Sequence, residues 1–323
     1  MRVTALCLAL LTTSALLTPA PARAAPAPCA WTATALEVPP GYQDASAEAT
    51  NRQDLIVGRL TPASGFGDHL VLWRDGKATV LGRPFGLTGH PTAVSSTGVV
   101  TGLLDRASGE QVRHGFRYAN GEFQRLETPP GADYARPHSV NAAGDVVAAV
   151  KGQLVRWPAG GAAHEVLAPP VPGEVADPYL DDEGRIAFTL YTGGRATIQL
   201  RHPDGRFQEL LPPEPTGSML AVQLHAGRVV GHLGLSNTVV WGVDGAVQQR
   251  ISEEPRAING TGRVLTAGNG AGQARLWQDG ALVSELPWQY RADTQNALLE
   301  DGSVVGAMRV SSSRYHPAHL RCQ

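Results

Sequence analysis

The sequence predicts an all-β fold on three observations. Glycine (37) and proline (24) together make up about a fifth of the 323 residues, too many for long helices. Asp-Gly and Asn-Gly pairs stand between short β-rich stretches, as at Asp75-Gly76, Asn120-Gly121 and Asp279-Gly280. Both central residues of a type I′ hairpin turn need positive φ, which these residues tolerate best. The third observation is internal repetition: one pattern recurs seven times along the chain.

Each unit has two halves. The first is an apolar stretch, a turn and a second apolar stretch, clearest in Ala93–Gly102, Ser139–Val147 and Ala257–Leu265. Weaker forms are Asn51–Gly58, Leu180–Ile186, Leu224–Gly231 and Leu299–Gly306. The second half is an aromatic or His residue, a tight turn and a strand ending in Leu: Trp73 to Leu81, Tyr118 to Leu126, Trp157 to Leu167, His202 to Leu210 and Trp277 to Leu286, with Trp241-Gly242-Val243-Asp244-Gly245 opening another. Four short antiparallel strands in a unit of roughly 40 residues match the blade of a β-propeller. Tandem immunoglobulin-like sandwiches would repeat near about 100 residues instead. The expected fold is therefore a seven-bladed β-propeller of four-stranded antiparallel blades, with the repeat tryptophans packed between blades.

The two ends of the chain complete each other. The seventh unit starts at Leu299 and reaches His319-Leu320-Arg321-Cys322, which aligns with Gly115-Phe116-Arg117-Tyr118, one strand short of a blade. The missing strand lies at the other end, where Ala35–Gly41 resembles Arg125–Gly131, the close of the second unit. The N-terminal strand is expected to close the ring.

Ahead of that strand, residues 1–24 read as a signal peptide: Arg2, the apolar stretch Val3–Leu17, and small residues at Ala22 and Ala24. Cleavage after Ala24 leaves residues 25–323 as a single propeller domain, secreted from the cell. The apolar stretch is shorter than the roughly 18 residues a membrane span requires, and no later segment replaces it. Cys7 leaves with the signal peptide, and Pro28 before Cys29 departs from a lipidation signal. An exported protein with two remaining cysteines is expected to join them, Cys29 to Cys322, across the closure point.

The unit resembles the HAF repeat of secreted bacterial proteins, which joins an A-x-N-x-x-G-x-V-V-G stretch to a later aliphatic-Trp pair and an Asn/Asp-Gly turn. Ala257–Gly268 with Leu276–Gly280 carries it best, followed by Ser139–Val147 and Leu72–Gly76. The His-Ala-Phe triplet is degenerate, its nearest forms being His114-Gly115-Phe116 and His69-Leu70-Val71. The resemblance covers nearly all of the mature chain and implies an extracellular propeller, with no catalytic mechanism to carry over.

A formal charge of -2, with 27 Lys and Arg against 29 Asp and Glu, gives no sign of a nucleic-acid partner. Catalytic elbows, zinc helices and phosphate-binding loops are missing from the sequence, as is the S-x-D-x-G-x-x-W box of sialidases. The ten histidines are scattered. No catalytic residue, metal site or cofactor is expected, and a monomer is.

Topology points to the connections from the outer strand of one blade to the inner strand of the next, which share a face around the channel with the second-to-third loops. They carry His90, Arg136, His138, Asp177, Arg256 and Asp293, a ring suited to a polar ligand. The leading expectation is a non-catalytic propeller presenting this face to an extracellular protein or glycan. The alternative is an extracellular propeller enzyme, a hydrolase or lyase on a polysaccharide or lactone, with acid and base groups at the channel mouth. Convergent carboxylates and histidines would favour the enzyme; an exposed apolar face would favour binding.

Overall fold

The structure, a computed structural model, describes residues 30–105, 109–214, 217–234, 236–268, 273–292, 294, 297–311 and 315–322. They form seven four-stranded antiparallel sheets arranged as a β-propeller. Blades 1 to 6 occupy residues 42–82, 89–125, 139–167, 174–210, 219–251 and 255–285, each in simple meander order. Blade 7 takes Tyr290–Arg291, Val304–Arg309 and Tyr315–Cys322 from the end of the chain and Trp31–Ala35 from its start, which pairs as the outermost strand with Trp31 opposite Cys322. Cys29, the expected partner of Cys322, lies outside the described residues.

A blade buries neither face alone, so the fold depends on the gaps between blades. Seven hydrophobic clusters fill them, one per gap. The gap that closes the ring packs Leu36, just beyond the N-terminal strand, with Leu299 and Val305 of blade 7 and Ile56, Leu60, Val71 and Trp73 of blade 1. Trp73, Trp157 and Trp241 are fully buried at equivalent positions on the third strands of blades 1, 3 and 5. Each indole N–H donates to a carbonyl on the connection arriving from the preceding blade: Glu37 at 2.7 Å, Glu127 at 2.9 Å and Leu211 at 2.9 Å.

The first-to-second-strand turns of blades 2, 3, 4, 6 and 7 repeat one geometry, whereas blade 5 turns on a two-residue Ala226-Gly227 hairpin. Asn141 accepts the Asp145 N–H on its side chain, Asn259 does the same for Arg263, and Ser95 for Val99. The N–H of Gly98, Gly144 and Gly262 returns to the carbonyl of the first turn residue, with φ at 86, 93 and 85°. The outer hairpins divide into two kinds. Asp75-Gly76, Asn120-Gly121 and Asp279-Gly280 have positive φ at both residues, as type I′ requires. Asp204 and Asp244 do not: there a longer turn closes through Gly205 N–H to His202 and Gly245 N–H to Gly242, and only the glycine is left-handed. Pro203 accounts for the first case, because a two-residue hairpin on Asp204-Gly205 would need the flanking N–H that proline lacks.

Two faces follow from the meander. First-to-second and third-to-fourth turns lie at one end of the blades, here the turn face; second-to-third loops and blade-to-blade connections lie at the other, the loop face. Backbone hydrogen bonds join the two sets of the loop face, as in Ala63 N–H to Gly41, Asp105 N–H to Thr88, Ala267 N–H to Glu254 and Arg309 N–H to Gln289.

Innermost strands carry a bulge at Ala47/Ala49, Pro91/Ala93, Ala176/Tyr179, Ala221/Gln223 and Pro255/Ala257. Glycines of the second strand stand opposite three of these, Gly58, Gly102 and Gly231. A β-carbon at Gly58 would lie 1.9 Å from the Ser46 carbonyl oxygen and 2.8 Å from the Trp73 ring. Gly58→Ala is therefore expected to cost about 1–3 kcal/mol through overpacking, read as a lower urea midpoint with unchanged m-value.

Candidate functional site

The first-to-second-strand turns converge on the propeller axis. Counting one residue on from the start of each turn gives Arg52, Ser96, Ala142, Asp182, Ala226, Gly260 and Glu300 in blade order. All but Ala142 line an axial cavity of about 500 Å³, which His138, Tyr179, His225 and Arg256 also line.

Two hydrogen-bonded groups stitch the mouth across blades. In the first, Arg52 of blade 1 reaches across the axis, its Nη1 lying 3.3 Å from Nδ1 of His225 in blade 5. His225 Nε2 makes a very short contact with Oε1 of Glu300 in blade 7. Glu300 Oε2 accepts the Gly260 N–H at 2.8 Å, and its own N–H donates to the Arg52 carbonyl at 2.7 Å. In the second group, Asp182 accepts the Ala142 N–H at 2.6 Å and the Ser96 hydroxyl at 3.2 Å, joining blades 2, 3 and 4.

Burial is the main force on these charges. It draws the Arg52 guanidinium down to about 10 against the opposing pull of Glu300 and Asp182, so the group remains a cation at neutral pH. Arg52 adopts a left-handed backbone, φ 68°. Burial, then the Arg52 charge, holds His225 below its ordinary range in spite of Glu300. Because a guanidinium only donates, Nδ1 of His225 is the acceptor and Nε2 carries the proton given to Glu300. Both ring nitrogens are thereby committed.

Burial shifts other groups near the cavity as well. His138 is pushed down to about 4 by burial and by Arg136. Burial with Asp177 nearby raises the Tyr179 phenol, and burial raises Asp177 itself.

The residues marked in the sequence are divided by the structure. His138 and Arg256 line the cavity. Arg136 and Asp177 do not line it, though both act electrostatically on groups that do. His90 turns to Asp105 at 3.0 Å, which also binds Arg113. Asp293 lies outside the described residues. His90, Asp177 and Arg256 sit on the inner strands or their bulges rather than on the connections before them. Arg52, Tyr179, Asp182, His225 and Glu300 escaped sequence reasoning. A position-by-position alignment of the seven turns carries the signal, since three of these residues break an otherwise small-residue position.

The loop face has a different chemistry. Phe85, Tyr134, Val171, Leu211 and Trp288 on blade-to-blade connections are exposed, as are Phe66 and Val310 on second-to-third loops. Phe66 is 94% and Trp288 66% accessible, and Arg309 lies over the Trp288 ring at 5.5 Å. Tyr191 is exposed at the loop-face end of its strand, whereas Val80, Val166, Val247 and Leu282 are exposed on outermost strands.

One further constellation resembles a catalytic trio. The Ser303 hydroxyl lies between Asp301 and Nε2 of His319. Ser303 is buried, so it reaches no substrate and ties the last turn to the third strand of blade 7. No helix among the described residues is long and apolar enough to cross a membrane.

No family model and no curated protein matches the chain. Solved structures match along nearly all of it. A catalytically inactive virginiamycin B lyase from Staphylococcus aureus with quinupristin is 14% identical at a TM-score of 0.60, over 90% of this chain and 99% of that one. U3-55K is 15% identical at 0.59, over 90% and 98%. YCF48 bound to D1 peptide is 15% identical at 0.50, over 94% and 99%. At these identities the likeness is one of fold.

The depressed histidines set a pH dependence. As pH falls below the unfolded value near 6.5, the unfolded chain takes up protons that folded His138 refuses until about 4. Stability from this group is complete above about pH 6.5 and is lost as pH falls towards 4. The melting temperature is expected to drop over that window, and His138→Asn to make the drop shallower. Identical calorimetric profiles for the two proteins would contradict this.

Proposed function

We propose that the chain is a secreted, non-catalytic β-propeller that binds an extracellular protein or glycan on its loop face. The observation that carries this reading is the set of exposed aromatic and aliphatic side chains on that face, led by Phe66, Tyr134, Leu211 and Trp288. Exposed apolar side chains cost solubility, and concentrated on one face of a rigid scaffold they mark a contact surface. Trp and Tyr supply large contact area at low entropic cost. A solved propeller of like fold, YCF48, is bound to D1 peptide.

An extracellular hydrolase or lyase is the competing reading, and the His225–Glu300 pair is what favours it: a histidine oriented by a carboxylate is a common general base. What weighs against it is Arg52. With Nδ1 facing the guanidinium and Nε2 facing Glu300, His225 offers no free lone pair to a substrate.

Export with cleavage after Ala24, membership of the HAF-repeat proteins and a Cys29–Cys322 disulfide belong to the same reading. Trp31, two residues after Cys29 in the sequence, pairs with Cys322, which supports that pairing. A loop this long contributes on the order of 4 to 5 kcal/mol in the chain-entropy model. Protein collected from the medium is expected to begin at Ala25 and to melt at a markedly lower temperature after reduction; an intact leader or an unchanged melting point would count against this part.

The binding reading is tested with a glycan array and a panel of purified extracellular proteins. A ligand held by the wild type should be lost in the Phe66→Ala, Trp288→Ala double variant at unchanged melting temperature. Retained binding in that variant would overturn the assignment to the loop face.

A further inference from the structure

The axial cavity runs from the turns along the inner strands to Arg256, near the start of its strand, and its inventory of hydrogen-bonding groups is lopsided. Most carboxylate oxygens are already bonded, Glu183 keeping one oxygen free among the described residues beside the one held by Arg185. Both oxygens of Asp182 take hydrogen bonds from blades 2 and 3. Both oxygens of Glu300 are taken by His225 and the Gly260 N–H, and both of Asp181 by Arg185. The unspent groups are of another kind. The Arg256 guanidinium makes no hydrogen bond or ion pair among the described residues, and neither the Tyr179 hydroxyl nor the His138 imidazole makes a hydrogen bond there, although all three line the cavity.

An occupant has to match this inventory. Arg256 offers a planar set of N–H donors and no acceptor, the partner a carboxylate fits best. Tyr179 can donate and accept, and neutral His138 does both through its two nitrogens, which suits hydroxyl groups. A volume of about 500 Å³ is in the usual range for small-molecule sites. A neutral sugar leaves the Arg256 charge unmatched, and a bare inorganic anion lacks the several hydroxyls that would engage Tyr179 and His138 together. A sugar acid uses all three.

We propose that the axial cavity is a binding site for a uronic-acid sugar or a short uronate oligosaccharide, its carboxylate on Arg256 and its hydroxyls on Tyr179 and His138. This site is independent of the loop face and survives if the contact reading for that face fails.

The test is calorimetric titration of the mature chain with digalacturonate, its neutral counterpart galactobiose, and inorganic phosphate. Digalacturonate is expected to bind at least about tenfold more tightly than either comparator, the factor that one charge-assisted contact supplies. Arg256→Gln should weaken it about tenfold, and Tyr179→Phe by a smaller factor. Arg256 is exposed and makes no hydrogen bond or ion pair among the described residues, so its replacement leaves the fold in place, checked by an unchanged melting temperature. Trp288→Ala should leave digalacturonate affinity unaltered, which separates this site from the loop face. Equal affinity for the two disaccharides, phosphate binding as tightly as the uronate, no binding of digalacturonate, or full affinity in Arg256→Gln would each overturn the proposal.

Discussion

A propeller holds together through contacts between successive blades, and here a single hydrogen bond recurs where that contact is made. Trp73, Trp157 and Trp241 sit fully buried in the gap before their own blade and give their indole N–H to the connection arriving from the previous one. Each bond adds about 1 kcal/mol net, and an indole donor left unpaired in that gap would cost more. Packing and polarity therefore fix the same geometry: the ring fills the space, and the N–H sets how far the incoming chain stands from it. Blade 6 reaches the same end by another route. Trp277 donates to the Glu253 side chain and to the Thr266 hydroxyl, and Arg275 binds the same buried carboxylate. Glu253 lies on the connection between blades 5 and 6, so a side-chain oxygen replaces the carbonyl. Blades 2 and 3 are joined by a different clamp, in which buried Arg117 donates to the carbonyls of Gly144, Pro158 and Gly161.

Fixed blade spacing then determines what can happen at the axis. The bulges of the inner strands and the glycines opposite them let the chain turn inward without striking the second strand. The turns that follow are locked by side-chain acceptors and a left-handed glycine, so they leave one position free to vary at the mouth. At Ala142 and Gly260 the backbone N–H faces a neighbouring turn, and Asp182 and Glu300 cap them.

The fold was legible because its determinants are local and repeated. An Asn three residues before a Gly, or an Asp-Gly or Asn-Gly pair between apolar stretches, favours a turn wherever it occurs, and seven recurrences of the whole unit count the blades. The closure was legible for the same reason: Leu36 and Leu126 follow one pattern, and both end up buried in the gap to the next blade. Arg52, His225 and Glu300 obey no local rule. They come from blades 1, 5 and 7 and meet only because the ring closes. Arg52 was hidden further by its turn, which has Asp54 where the other turns have glycine and places the left-handed residue at Arg52 itself. Pro91, Pro178 and Pro255 signalled a change of direction correctly but not its place, since a proline at an inner-strand bulge and one in a connection read alike in sequence.

The two ends of the channel are thereby open to different kinds of change. The first-to-second-strand turns are short and held by their own hydrogen bonds, so chemistry there alters one side chain at a time and the cavity stays polar and small. Loop-face connections have no such constraint. They run from the few residues between Ile251 and Pro255 to the long stretch between Arg125 and Ser139, and their tips carry the exposed aromatics. A large partner needs a broad, adaptable surface and a small ligand needs a fixed pocket. The same closed ring supplies one at each end because a meander of four strands puts its tight turns on one side and its long crossings on the other.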